Sequence, residues 1–378
     1  MKILILVCGE GLGHTSRCVS LGRELSSADY ELLFGAYGYS KEFIEDNGYQ
    51  TREIPSEVKL VGNSGSLDLK ASIGATLKEG DLLGAPRVYR LFNEFKPDVV
   101  VSDSYYLGVL VARAKKVPVY FIINQSNMEE FFKNRGIPLK LIGKIIKRFY
   151  STVFKKVDKI IIPDYPMPYT VCQYNLSFQP EVAEHVFYSG PLIKKKHHEV
   201  EAKPLDKPHI LSAVGGFGYR EPIFKKVIEA ARLDSGINYT LMMGPTIDPD
   251  EYTNLPDNVQ IMKFYSEPFP YLKSVDAVIA PGGHTTIMES LSFGVPVLSF
   301  PDMNHSEQEN NAKVIDERGY GRCLNYSTTP EDLLEYIKEI TEENKFKENT
   351  QKLKNLGEEL DGPVAIMKML ESYQGANQ

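Results

Sequence analysis

The sequence shows no pattern typical of a disulfide framework or a membrane-spanning helix, and its overall charge is not basic. Its 378 residues include only four cysteines, and none of them has CxxC spacing. The sequence therefore predicts neither a zinc knuckle nor a disulfide scaffold, which fits a reducing cytoplasm. No apolar run approaches the ~20 residues that would span a bilayer, so any membrane association would be peripheral. The net charge of −7 argues against a nucleic-acid partner.

A dinucleotide fingerprint and a metal motif are also missing. The first apolar strand leads into a loop with glycines at positions 9, 11 and 13, whereas the fingerprint requires glycines at its first, third and sixth places. The next predicted strand ends without an acidic residue to bind a ribose. The single Asp-x-Asp pattern, Asp248 to Asp250, lies among prolines and predicts a solvated turn. We therefore expect no NAD or FAD, no other cofactor and no obligatory metal.

Short apolar runs and helical patterns alternate through both halves of the chain. This alternation predicts an α/β protein with two doubly wound, parallel-sheet domains, and the length suits two such domains. The predicted division is 1–190 for a first domain, 191–208 for a linker, 209–360 for a second domain, and 361–378 for a C-terminal helix or tail returning to the first domain. Residues 56–84 are rich in Gly, Ser and Lys and predict a long functional loop.

Polar residues in the first half follow three predicted strands. The loop from Gly11 through Gly13 to His14 follows the first strand, Asp103 ends another, and a polar segment from Asn124 to Asn127 follows a third. Ligands of open α/β sheets collect outside the carboxyl ends of the strands. The sequence therefore predicts that these residues line one cleft.

The second half contains two further Gly-rich turns between a strand and a helix. The first runs from Gly215 through Gly216 and Phe217 to Gly218, and the second has Gly283 and His284 before Thr285 and Thr286. Glycine allows backbone amides to approach a ligand, and a helix N terminus favours an anion, so both turns predict phosphate binding. Glu289 follows about one turn later, and a polar loop carries Glu307 and Gln308. A phosphate cradle, a carboxylate and an amide-rich loop are what a nucleotide sugar requires.

The segment between Lys133 and Lys159 contains nine Lys or Arg residues and one acidic residue, interleaved with Ile, Leu and Phe at helical spacing. One interpretation is an amphipathic helix whose apolar side packs in the core. The other is a membrane-surface patch, in which the cations attract an anionic bilayer while apolar side chains enter its interface.

These motifs together resemble those of GT-B glycosyltransferases, and among them glycosyltransferase family 28, which includes the peptidoglycan N-acetylglucosaminyltransferase MurG. The resemblance implies two Rossmann-like domains that face each other across a cleft. It assigns the loop ending in His14 and the segment from Asn124 to Asn127 to the acceptor side. It assigns five groups to the UDP-sugar donor. The Gly-Gly loop is Gly215 to Gly218, the pair that contacts uracil is Phe264 and Tyr265, and the turn that binds diphosphate is Gly283 to Thr286. The carboxylate that binds ribose is Glu289, and the side chains that contact the sugar are Glu307 and Gln308. Two departures are Glu307, where the family has glutamine, and Asn-Gln-Ser-Asn, where it has His-Glu-Gln-Asn.

The resemblance implies inverting transfer of an N-acetylhexosamine or hexose from a UDP-sugar to a lipid-linked or cell-envelope acceptor, at the inner face of the cytoplasmic membrane. The overall character of the sequence resembles archaeal members, so a step in pseudomurein-type wall synthesis is one expectation. Direct displacement requires a general base, for which His14 is the first candidate and Asp103 the second. His14 could instead only contact a phosphate or the acceptor. Two other functions stay open: a UDP-N-acetylglucosamine 2-epimerase and a non-catalytic protein that binds sugar nucleotides or lipids.

Overall fold

The computed structural model of this chain describes residues 1–9, 11–57, 59–79, 81, 84–133, 136–262 and 267–376. The strands, in chain order, are β1 (Lys2–Val7), β2 (Glu31–Ala36), β3 (Thr51–Glu53), β4 (Gly62–Asn63), β5 (Ser66–Leu67), β6 (Val99–Asp103), β7 (Val119–Ile122), β8 (Lys159–Ile162), β9 (Val186–Tyr188), β10 (His209–Ala213), β11 (Asn238–Met242), β12 (Val259–Met262), β13 (Ala277–Ala280), β14 (Val297–Ser299) and β15 (Gly321–Cys323).

The α-helices are α1 (Leu12–Ser26), α2 (Tyr39–Asp46), α3 (Leu69–Glu79), α4 (Ala85–Phe95), α5 (Tyr106–Ala114), α6 (Ile137–Phe154), α7 (Pro180–Ala183), α8 (Pro222–Leu233), α9 (Phe269–Leu272), α10 (His284–Ser292), α11 (Ser306–Glu317), α12 (Pro330–Glu342), α13 (Asn344–Glu359) and α14 (Gly362–Ala376). Short 3-10 helices cover Met128–Phe132, His197–Glu199, Gly218–Arg220 and Pro249–Glu251. Across the described ranges, no helix combines the length and the apolar character needed to cross a membrane.

Contacts divide the chain into two compact units. The first contains Met1–Val61, Asp68–Lys194 and Leu360–Gln378, and the second contains Gly62–Leu67 and Lys195–Glu359. The main division thus falls within the segment expected as a linker. The transfer of Gly62–Leu67 to the second unit is not predicted by the sequence.

The first unit is built on a parallel sheet with strand order β3-β2-β1-β6-β7-β8-β9. The apolar residues of β1 alternate between two cores: Leu4 and Leu6 face one side of the sheet, while Ile3 and Ile5 face the other. A parallel strand covered on both faces requires such an unbroken apolar run. Helix α14 packs against α1 and adds buried Ile366 to the second of these cores.

The second unit has a parallel sheet with strand order β12-β11-β10-β13-β14-β15. Ile210 of β10 and Ile279 of β13 are fully buried, and helices α8 and α12 pack together over the same core. Both sheets are doubly wound, because the chain builds one side of each sheet and then returns to build the other. The predicted α/β fold with two doubly wound parallel-sheet domains is confirmed.

The expected long loop at 56–84 is wrong in part, because this segment contains the β4–β5 hairpin and helix α3. The Asp68 carboxylate caps α3 by accepting a hydrogen bond of 2.9 Å from the amide of Ala71. Ser72 is buried in this helix and binds the backbone of Val61. The helix depends on this cap and on tertiary packing rather than on an amphipathic pattern, so periodicity does not reveal it.

Candidate active site

The first unit's sheet changes its direction of growth between β1 and β6, which are hydrogen-bonded neighbours with Val7 in register with Asp103. Ligands of open α/β sheets bind outside the strand ends at such a switch point. Gly11 begins the helix that follows β1, and its φ of +86° is one that side-chain-bearing residues rarely adopt. Gly13 and His14 lie in the first turn of α1. The fold therefore brings His14 to the end of β6.

His14 and Asp103 form a close pair at this point. The His14 Nδ1 atom lies 2.8 Å from Asp103 Oδ1. The carboxylate is fully buried, whereas 24% of the His14 side chain is exposed. When Nδ1 carries the ring proton and donates a hydrogen bond to Asp103, Nε2 is left as an acceptor. The pair can thus present an oriented imidazole lone pair.

Arg17 is a member of this group that the sequence analysis missed. Its Nε donates to Asp103 Oδ2 and its Nη2 to Asp103 Oδ1, both at 2.5 Å. Its Nη1 donates to Asn124 Oδ1 at 3.2 Å. Burial alone would raise the pKa of Asp103, but Arg17 and His14, through their charges and hydrogen bonds, together outweigh burial and hold that pKa well below its ordinary value. The available signal was helical spacing, since residues three apart lie on one face.

Asn127 does not join this group. Its side-chain amide donates a hydrogen bond of 2.8 Å to the backbone carbonyl of Tyr174. Its backbone amide donates to the backbone carbonyl of Asn175. Asn124 and Asn127 are both largely buried. Of the two asparagines expected on the acceptor side, only Asn124 contacts the residues around Asp103.

In the second unit the switch point lies between β10 and β13. The Gly-rich loop that follows β10 starts at Gly215, whose φ is +71°. This loop packs tightly on the end of β11, because a Cβ on Gly244 would lie 2.1 Å from the Gly215 carbonyl. Gly216 and Phe217 complete the turn, and Gly218 is the first residue of the short 3-10 helix. The loop is therefore fixed by close backbone contact.

Helix α10 begins directly after the turn that follows β13. Gly283 is its N-cap, and His284 at its first position is buried. Thr285, Thr286 and Glu289 are each partly exposed. The N-terminal amides and positive dipole end of this helix thus lie beside two hydroxyls, with a carboxylate one turn further along. Phe264 and Tyr265, which the resemblance assigns to uracil, lie outside the described residues.

A buried ion pair joins the Gly-rich loop to the loop between β14 and α11. Arg220 Nε donates to Asp302 Oδ1 at 2.8 Å and Arg220 Nη1 donates to the Val214 carbonyl at 3.1 Å. The Tyr219 hydroxyl donates to Asp302 Oδ2 at 2.8 Å. Arg220 is 7% exposed and Asp302 is fully buried. Neither residue was among the candidates from the sequence.

Gln308 uses both ends of its amide on Asp302. It donates to Asp302 Oδ2 and accepts from the Asp302 backbone amide, each at 2.9 Å. It is 4% exposed, whereas the adjacent Glu307 is partly exposed. The structure thus gives Gln308 a positioning role, and Glu307 is the more accessible of the pair.

The start of α11 packs against the turn that follows β13. Asn311 donates 2.9 Å to the Gly282 carbonyl, and a Cβ on Gly282 would lie 2.5 Å from the Gln308 carbonyl. The two polar segments around Glu289 and Glu307 therefore belong to one closely packed surface of the second unit.

Comparisons with known proteins bear on the family and the fold. The family model described as "Glycosyltransferase family 28 C-terminal domain" matches residues 236–361. An uncharacterized glycosyltransferase of Methanosarcina mazei is 61% identical over 375 residues, which cover 99% of this chain and 99% of that protein. The chain belongs to glycosyltransferase family 28.

Two more distant similarities accompany this assignment to family 28. A protein of Alkaliphilus metalliredigens named UDP-N-acetylglucosamine--N-acetylmuramyl-(pentapeptide) pyrophosphoryl-undecaprenol N-acetylglucosamine transferase is 24% identical over 338 residues, or 84% of each chain. The solved structure of CalG4, the calicheamicin glycosyltransferase, superposes with a TM-score of 0.74 at 18% identity, over 99% of this chain and 98% of that one. The fold is thus that of the GT-B glycosyltransferases.

The first unit of this glycosyltransferase also carries an exposed apolar and basic face on α6. The helix has a separate core side, on which Val153 and Phe154 are buried. Exposed apolar side chains follow one another at intervals of four residues: Ile137, Leu141, Ile145 and Phe149. Exposed cations lie beside them: Lys140, Lys144, Lys147 and Arg148. The interpretation that the apolar stripe is core is therefore wrong for Ile137, Leu141 and Ile145, whereas the ring of Phe149 also packs against those of Tyr106 and Tyr150.

Proposed function

We propose that this enzyme transfers an N-acetylhexosamine or hexose from a UDP-sugar to a hydroxyl group of a lipid-linked or cell-envelope acceptor, with inversion at the anomeric carbon. The observation that carries the proposal is the pairing of a partly exposed His14 with a buried Asp103 at the first unit's switch point. Inversion by direct displacement requires a base for the acceptor proton and no protein nucleophile.

The chemistry assigns one step to the His14–Asp103 pair. His14 Nε2 takes the proton of the acceptor hydroxyl while the acceptor oxygen forms a bond to the anomeric carbon. The bond between that carbon and the diphosphate oxygen breaks, and its electron pair leaves with UDP. Asp103 stays an anion and stabilises the imidazolium that forms. Because Asp103 is fully buried, it serves as the partner of the base rather than as the base.

The second unit supplies the groups for the leaving nucleotide. Amides at the N terminus of α10 and the hydroxyls of Thr285 and Thr286 suit a diphosphate, because they are donors at a positive dipole end. Glu289 suits the ribose hydroxyls, and Glu307 suits the sugar. The name of the Alkaliphilus relative supports UDP-N-acetylglucosamine as a donor to test first and a polyprenyl pyrophosphate as the acceptor class.

Release of UDP, with and without a lipid extract as acceptor, tests the base and the donor site separately. We expect His14→Ala to lower kcat by about 10²- to 10⁴-fold, the usual contribution of a general base, while UDP affinity is unchanged. We expect Glu289→Ala to weaken UDP binding by about 10- to 100-fold, because it removes charge-assisted hydrogen bonds. Exposed His185 and Glu335 provide matched controls, His185→Ala and Glu335→Ala.

Full turnover by His14→Ala would show that another group is the base. Conversion of the UDP-sugar to its epimer without acceptor would favour a 2-epimerase instead. UDP binding without turnover on any lipid extract would favour an accessory binding protein. The three functions therefore give different results in one assay.

We propose further that the exposed face of α6 binds the anionic inner face of the cytoplasmic membrane, where a lipid-linked acceptor lies. Four exposed apolar side chains on one stripe would be costly in water, and Ile137 and Ile145 are 85% and 63% exposed. Lysines next to such a stripe attract anionic headgroups while the apolar groups enter the interface. The charge stands out because the whole chain is acidic.

Co-sedimentation with phosphatidylcholine vesicles, with and without phosphatidylglycerol, tests this surface. Each cation near an anionic surface contributes about 1 kcal/mol, so we expect Lys140→Glu with Lys144→Glu to reduce binding by at least about tenfold. Leu141→Ser with Ile145→Ser should reduce it on its own. Matched controls in the second unit are Lys347→Glu and Leu233→Ser, both exposed. Equal binding to neutral and anionic vesicles would refute the proposal.

A further inference from the structure

The His14 ring faces two groups at the same nitrogen. Its Nδ1 lies 2.8 Å from Asp103 Oδ1 and 2.9 Å from Arg17 Nη2. A ring nitrogen either carries a proton and donates or has a lone pair and accepts. His14 therefore has two neutral forms here, and the two neighbours favour opposite ones.

Only one of these forms can act as the base. With the proton on Nδ1, the ring donates to Asp103 and leaves the Nε2 lone pair for the acceptor hydroxyl. With the proton on Nε2, Nδ1 accepts from Arg17 and the ring has no lone pair at Nε2. When the ring takes up a second proton during turnover, its positive charge lies beside the Arg17 guanidinium. Arg17 thus opposes both the proton on Nδ1 and the imidazolium.

Among the residues that the structure describes, the titratable and charged groups around the ring can be named. From α1 they are Arg17, 2% exposed, and the Cys18 thiol, whose Sγ lies 3.4 Å from Asp103 Oδ2. Burial raises the pKa of Cys18, so that thiol is neutral. Asp103 faces His14 from the end of β6, and buried Cys8 follows β1. One cation and one anion, Arg17 and Asp103, therefore dominate the field at the ring.

We infer that Arg17 is a positioning residue that acts through His14: it opposes a proton on Nδ1 and prevents the ring from retaining a second one. Two hydrogen bonds to Asp103 and one to Asn124 hold its planar fork so that Nη2 faces His14 Nδ1. With Arg17 present, the charge of Asp103 is largely compensated, so the imidazolium formed during transfer readily loses its proton again. The inference rests on the proposed role of His14 as base.

Two substitutions separate the charge of Arg17 from its shape. Arg17→Met removes the cation and leaves Asp103 uncompensated, so the imidazolium is stabilised. We expect the acidic limb of the pH profile of kcat/KM to move up by about one to three pH units, the usual effect of an unopposed charge at this distance. Activity should recover at high pH, which a merely structural defect would not produce. Arg17→Lys keeps the charge, so its acidic limb should stay within about half a pH unit of wild type.

Nitrogen-15 NMR of histidine-labelled protein reads the ring without any turnover. His14→Ala identifies the His14 signals among the seven histidines. In Arg17→Lys the Nη2 contact is gone, so we expect the spectrum to shift toward the form with the proton on Nδ1. This variant retains a cation beside Asp103 and carries the test if Arg17→Met does not fold.

A matched control is Arg23→Met, which replaces an exposed arginine on the same helix. We expect wild-type spectra and a wild-type pH profile from it. An unchanged His14 spectrum in Arg17→Lys, or an unmoved acidic limb in folded Arg17→Met, would overturn the inference. Full turnover by His14→Ala would instead reject His14 as the base, while the spectra would still show whether Arg17 controls the ring.

Discussion

Replacing Asp302 with asparagine should destabilise the second unit severely. The carboxylate is fully buried and accepts hydrogen bonds from Arg220, Tyr219 and Gln308. Asparagine has the same shape, but it leaves the Arg220 cation buried without a counter-charge and turns an amide donor toward other donors. Breaking a buried pair in this way costs about 3–5 kcal/mol. For a domain of this size we expect the melting temperature to fall by about 6–20 °C.

A double variant isolates the interaction between the two charges. Arg220→Met with Asp302→Leu removes the cation and the anion together, so no uncompensated charge is buried. We expect it to lose less stability than Asp302→Asn alone, because a buried pair often contributes little net energy against apolar residues of similar volume. Urea unfolding of wild type, of Arg220→Met, of Asp302→Leu and of the double variant gives the coupling energy.

The pH dependence has a definite sign. Burial alone would raise the pKa of Asp302, but the charge and hydrogen bonds of Arg220, with contributions from His305 and Tyr219, together outweigh burial and lower it. A carboxyl group whose folded pKa is depressed stabilises the protein above its unfolded pKa, and this contribution is lost as pH falls below about 4. The stability gap between wild type and Asp302→Asn should therefore narrow from pH 7 to pH 3. A gap under about 1 kcal/mol at pH 7, or one that grows in acid, would refute the reasoning.

Two other predictions concern close packing and a buried acid. Gly282→Ala should cost about 1–3 kcal/mol, because its Cβ would lie 2.5 Å from the Gln308 carbonyl, whereas Gly283→Ala meets no atom within 4 Å and should cost less in the same thermal melt. Burial raises the pKa of Glu57 to about 7, despite two amide donors at the N terminus of α5 that lower it. The free energy of unfolding of the wild type should therefore decrease as pH rises from about 4.5 to 7. Urea titration of Glu57→Gln should give a flatter dependence on pH across that range.

The sequence was sufficient for the two sheets and for their switch points. Buried parallel strands such as β1 and β6 are unbroken apolar runs, and each is followed by the Gly-rich or polar residues that a strand end requires. The adjacency of His14 and Asp103 follows from this topology, because neighbouring strands end together. These features are local in sequence or are imposed by the order of the strands.

The residues that lock the site were not predictable in this way. Arg17 and Asp103 are 86 positions apart, and Arg220 and Asp302 are 82 apart. A charged residue paired over such a separation has no periodic signature, and an isolated arginine on a helix is usually solvated. The β4–β5 hairpin is similar: its contacts in the second unit, such as that of Leu67 with Met303, are set by tertiary packing.

Both units use a similar device beside the first Gly-rich loop. Each has one buried arginine just after its first Gly-rich loop, and each arginine binds a buried carboxylate from a later strand end: Arg17 binds Asp103, and Arg220 binds Asp302. Ion pairs of this kind contribute little net stability, so their value is in fixing geometry. What differs is the third residue. In the first unit the pair acts on a histidine that can move a proton, and in the second it holds a glutamine that cannot. The same device thus suits proton transfer in one unit and a rigid binding surface in the other.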